Sequence, residues 1–137
     1  MYPDGKHILV VDDDAGRRRL SERVLSAEGF AVTAVPEGLS AIRAAQRGRF
    51  ALTIAAVSLP GTLDGLATVR QLRARQPWLK ALFTGDGAVR PRRSDGDCDD
   101  FIPWPFLRRD LLGCVFELLQ REVAHGQADR RDYSRAG

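Results

Sequence analysis

A chain of 137 residues and 15.1 kDa holds one domain with a substantial core and has little room for a second. Apolar residues are 44% and charged residues 28%, an ordinary globular balance, and no run nears the roughly 20 apolar residues of a bilayer-crossing helix. The net charge of +3 gathers in two clusters, Arg17-Arg18-Arg19 and Arg90 with Arg92 and Arg93, which lack the aromatic interleaving or finger spacing of a nucleic-acid surface.

No apolar stretch precedes Ile8, so no secretory signal is expected and the protein is read as cytoplasmic. Ile8 to Val11 is a short apolar run ending in Asp12-Asp13-Asp14, a buried strand with acids at its carboxyl end. Ala15 to Ala27 carries Leu20, Val24 and Ala27 at helical spacing, and Gly29 stops that helix. Phe30 to Val35 reads as a second strand. Pro36-Glu37-Gly38 turns into a helix with Leu39, Ile42 and Ala45, ended by Gly48.

Phe50 to Val57 is almost wholly apolar, the pattern of a strand covered on both faces. Asp64-Gly65 opens a helix bearing Leu66, Val69 and Leu72, which Gln76-Pro77 ends. Leu79 to Phe83 is a fourth strand and Phe101-Ile102 lies in a fifth. Between them, Gly85-Asp86-Gly87, Pro91 and Ser94-Asp95-Gly96-Asp97 leave little sequence for a helix, so a short or irregular one is expected. Leu107 to Val123 forms a long final helix. Leu107, Leu111, Val115 and Leu118 mark its sheet-facing side, and Leu112, Phe116, Leu119 and Val123 a second stripe.

This alternation predicts an α/β fold, a doubly wound parallel sheet of five strands with helices on both faces. A single domain over residues 1–125 and a flexible tail over 126–137 are expected. Sheets of this kind gather functional groups at the carboxyl ends of their strands, where Asp12, Asp13, Ala56, Thr84 and Trp104 fall. Cys98 and Cys114 read as reduced thiols, and with only His7 and His125 to assist them no structural zinc is expected. A glycine-rich dinucleotide fingerprint is missing after the first strand, which argues against a small nucleotide-binding enzyme.

Taken together, Asp12-Asp13 after the first strand, Ala56-Val57-Ser58-Leu59-Pro60-Gly61 with Asp64-Gly65, Thr84-Gly85, and Phe101-Ile102-Pro103-Trp104-Pro105-Phe106 resemble the motifs of response-regulator receiver domains. The resemblance spans residues 7 to 123 and implies the receiver (flavodoxin-like) topology of two-component phosphorelay signalling. It also implies an acidic pair and a phosphoacceptor aspartate holding Mg²⁺, a hydroxyl residue and lysine beside the phosphoryl group, an aromatic switch, and a cis bond before the proline. Asp12 and Asp13 match the acidic pair, Thr84 the hydroxyl and Phe101 the switch.

Two central positions depart. Ala56 stands at the phosphoacceptor, and a methyl group neither attacks phosphorus nor ligates metal. Trp104 stands at the lysine, offering one neutral N–H in place of an ammonium. No catalytic residue is therefore assigned, and the chain is read as a pseudo-receiver, a protein-interaction module that is not an enzyme. It requires no cofactor, and Asp12 and Asp13 form at most a weak Mg²⁺ site. The expected partner is a protein, a histidine kinase or a downstream regulator, with a homodimer through Leu112, Phe116, Leu119 and Val123 as a second option. Membrane insertion and nucleic-acid binding are not expected.

Two alternatives stay open: a receiver with another phosphoacceptor, such as Ser58, or an engineered alanine in a conventional receiver. Trp104 speaks against the second, since blocking phosphorylation would not require it. The Trp104 ring either covers the space near Ala56 or turns outward to a partner. Asp12, Asp13 and Asp14 crowd together, and Arg17, Arg90 or solvent must offset their charge.

Overall fold

The computed structural model describes residues 6–87, 91 and 99–128. Five strands form one parallel sheet: β1 (His7–Val11), β2 (Ala31–Val35), β3 (Leu52–Ala56), β4 (Lys80–Gly85) and β5 (Asp100–Pro103). Their spatial order is β2-β1-β3-β4-β5. Four helices accompany them: α1 (Ala15–Ala27), α2 (Gly38–Ala45), α3 (Gly65–Arg75) and α4 (Arg108–Ala128). The chain leaves β1 toward β2 and then crosses back to β3, so winding reverses between β1 and β3. Crevices open at such reversals, beyond the carboxyl ends of the strands.

Alternation along the strands builds two cores. Ile8, Val10, Leu52, Ile54, Leu82 and Ile102 join Leu25, Leu111, Val115 and Leu118 under α1 and α4. Leu9, Val11, Ala55, Ala81, Phe83 and Phe101 join Ala41, Val69 and Leu72 under α2 and α3. Covering on both faces explains why β1 and β3 read as unbroken apolar runs.

Several expected positions shift. Leu107 precedes α4 and is 56% exposed, because the helix begins one residue later and its sheet side starts at Leu111. Leu20 and Leu39 are exposed as well, while Ser21 and Leu25 take the inner side of α1. The final helix runs to Ala128, past the Val123 where its apolar pattern ends. The short or irregular helix expected between β4 and β5, most of the Arg90–Arg93 cluster, Cys98 and the last nine residues lie outside the described residues. No described helix is long and apolar enough to cross a membrane.

Gln76, read from sequence only as part of a helix stop, is buried and ties three elements together. Its Oε1 accepts from the Phe50 N–H at 2.8 Å, and its Nε2 donates to the Ala45 and Gly48 carbonyls at 3.1 and 2.8 Å. Gln76→Leu strands those buried groups, each costing about 1–3 kcal/mol. We expect a loss of about 2 kcal/mol in a urea unfolding midpoint analysis, and an unchanged midpoint would show that the clamp is dispensable.

Candidate functional site

Asp12 follows β1 directly and is only 4% exposed. Its Oδ1 accepts from the Asp14 N–H at 2.9 Å and from Arg17 Nη2 at 3.3 Å, and its Oδ2 accepts from Arg17 Nε at 3.3 Å. The Arg18 guanidinium donates to the Asp12 carbonyl at 2.8 Å. Two members of the basic cluster are thus spent on one buried residue. Burial works against the Arg17 charge, but the Asp12 hydrogen bond and the nearby charges of Asp12, Asp14 and Asp13 outweigh it and raise its pKa.

The other two acids part company with Asp12. Asp13 is exposed. Asp14 caps α1, its side chain accepting from the Arg17 N–H at 2.9 Å. That bond is the main reason its carboxyl sits below the ordinary range; slight desolvation opposes it, and the charges of Arg17 and Arg18 add to it.

Ala56 ends β3 in register with Thr84 of β4, and both are buried. Gly65 opens α3 against the Ala56 carbonyl, so closely that a Cβ there would collide with it. Trp104 follows β5 and donates its backbone N–H to Gly85 at 2.6 Å, ahead of a cis Trp104–Pro105 bond. Its ring lies 3.9 Å from that of Phe106, centroid to centroid, and the Arg17 guanidinium carbon lies 5.8 Å from its centroid. The indole N–H is buried without a hydrogen-bond partner.

Arg17, Ala56, Val57, Ser58, Thr84, Gly85, Asp86 and Trp104 line one cavity of about 270 Å³. Trp104 and Ala56 therefore line a shared space. Among the described residues no histidine lines this cavity, so none of them gives Ser58 an imidazole base there. A larger cavity of about 420 Å³ lies between α2 and the β1–β2 edge, bordered by His7, Arg43 and Arg47, away from the ends of β3 and β4. Phe101 is buried in the core under α2 and α3 and borders the position of Gly85.

Along α4, Leu119 is 3% exposed and belongs to the core, which removes it from any partner surface. Phe116 stacks near Phe30 at 6.1 Å, and Leu112 is half-buried against the same cluster. The Val123 side chain lies outside the described residues.

Residues 8–115 match the family described as the response regulator receiver domain. The chain belongs to that family. It is 35% identical to protein PetR of Rhodobacter capsulatus over 117 residues, covering 84% of this chain and 49% of that one. The chain spans about half the length of the curated relatives it matches. Among solved structures, the receiver domain of NtrX from Brucella abortus shares 30% identity with a TM-score of 0.76, over 82% of this chain and 98% of that one. The receiver domain of sensor histidine kinase PA1611 from Pseudomonas aeruginosa, with a magnesium ion coordinated in its active site cleft, shares 26% identity with a TM-score of 0.75, over 85% and 98%. Receiver domains of this kind are regulatory modules and not enzymes.

The role of Arg17 was only half legible, since sequence left it one of three candidates to offset the acids. Its position in the third residue of α1 is the signal: a side chain there reaches back past the cap. Because Asp12 is buried and its partner is 41% exposed, we expect a double-mutant cycle of Asp12→Asn and Arg17→Met to return a coupling of about 1–2 kcal/mol, below that of a fully buried pair. A coupling near zero would show the fork to be incidental.

Asp14 supplies a pH signature. A carboxyl depressed in the folded state stabilises fully above its ordinary pKa, and that stability is lost as pH falls through the lower folded value. Asparagine caps as well as aspartate but does not titrate. Thermal melts of Asp14→Asn across the acid range should therefore fall less steeply than those of the parent, whereas parallel acid limbs would exclude this contribution.

Proposed function

We propose that this receiver domain is a pseudo-receiver, a signalling module that works through protein contacts without aspartyl phosphorylation. The observation that carries this reading is Ala56 at the end of β3, flanked by Thr84 and Trp104 in the cavity where the family's phosphoacceptor and lysine would stand. Phosphoryl transfer needs a nucleophile and compensation for the charge it brings. A methyl group and a neutral indole supply neither.

Mg²⁺ fits the remaining residues poorly. Both Asp12 oxygens are taken by Arg17, one also by the Asp14 N–H, and Asp13 is exposed. Among the described residues, no group of three His, Cys, Asp or Glu side chains is placed to hold a metal. Hard divalent ions favour several carboxylate oxygens, so any Mg²⁺ role here is weak and optional.

The partner in this reading is a histidine kinase or a downstream regulator. Among the described side chains, Leu112 and Phe116 are what α4 still offers of its second stripe, with Leu107 exposed just before the helix. Incubation with acetyl phosphate and Mg²⁺, followed by intact-mass analysis, tests the central point. The parent should gain no phosphoryl group. A stable adduct mapped to Ser58 or another residue would establish the alternative, a receiver with a different phosphoacceptor.

A further inference from the structure

Four local hydrogen bonds close a ring at the start of α1. The Asp14 N–H binds the Asp12 carboxylate, the Asp14 carboxylate binds the Arg17 N–H, and the Arg17 side chain returns to Asp12 through two nitrogens. Each bond holds the donor or acceptor of the next, so the guanidinium is fixed at its backbone as well as at its tip. Trp104 adds an aromatic ring beside the same cation, within the roughly 6 Å over which a ring face attracts positive charge. A lysine ammonium at residue 104 would instead have crowded the guanidinium with like charge, so the two features are mutually consistent.

We propose that Arg17 is a built-in cation that takes the place of a divalent metal ion at Asp12, so that the site stays closed to Mg²⁺ even when a carboxylate is restored at residue 56. This rests on reading the cavity as one without phosphoryl chemistry, and it adds the reason that a single reversion does not reopen it. Metal binding at Asp12 must first displace a forked, charge-assisted contact that is intramolecular and therefore needs no second molecule to form. The displaced guanidinium would also stay nearby, repelling the incoming ion.

The test is Mg²⁺ titration by calorimetry, with melting temperature followed in parallel, on the parent, Ala56→Asp, and Ala56→Asp combined with Arg17→Met. Ala56→Asp alone should resemble the parent, with no heat and no Mg²⁺-dependent rise in Tm. The double variant should bind at least about tenfold more tightly than Ala56→Asp, which corresponds to about 1.4 kcal/mol. Equal affinity in the two variants would overturn the proposal, because Arg17 would then withhold nothing. No binding by a folded double variant would overturn it equally. Arg17→Gln, which keeps polarity but drops the charge, stands in if Arg17→Met fails to fold. These readouts concern metal alone, so they are separable from the phosphorylation result on the parent chain.

Discussion

A carboxylate removed from water must be neutralised or provided with donors, and Asp12 is such a group at the end of the first strand. A metal ion and a lysine ammonium are the family's means of compensation. With Ala56 and Trp104 in the chain, that compensation comes from Arg17, the Asp14 N–H and the start of α1. The same turn that caps the helix therefore also holds the buried Asp12 carboxylate. Helix start, buried charge and cavity wall become a single unit.

Sheet topology explains why this unit borders the cavity at all. The winding reversal between β1 and β3 leaves the ends of those strands uncovered by a crossover, and β4 and β5 bring Thr84 and Trp104 to the same end. Gly65 lets α3 start hard against Ala56, which fixes the far wall. On the opposite side, Trp104 packs on Phe106 beside Arg17. The cavity lies at the carboxyl ends of the strands while the buried Asp12 charge beside it is satisfied internally. On the pseudo-receiver reading proposed above, such a site has no state change to make on meeting a phosphodonor, and its output runs through constitutive protein contacts.

Much of this was legible in the sequence, and the misses have physical causes. β1 and β3 could be read because burial on both faces leaves long apolar runs, and the end of α1 could be bounded because Gly29 is a usual stop signal. The exposure of Leu20, Leu39 and Leu107 could not be read, since apolar spacing shows a period but not which part of it faces the sheet. Gln76 was opaque for a different reason: its three bonds join segments separated by 26 to 31 residues, and no local pattern encodes them. Ala56 and Trp104 were visible as departures from motif. That Arg17 fills the electrostatic gap depended on the length and direction of one side chain, which spacing alone only suggests.

The most direct measurement is the Arg17 Nε–H resonance in a ¹H–¹⁵N spectrum, recorded before and after addition of Mg²⁺ and beryllofluoride, a mimic of the phosphoryl group. An internally compensated Asp12 predicts a protected Arg17 signal that keeps its position, together with unmoved Thr84 and Gly85 amides. A shift of all three on addition would contradict it, showing that external ions still reach the carboxylate that Arg17 is held to satisfy.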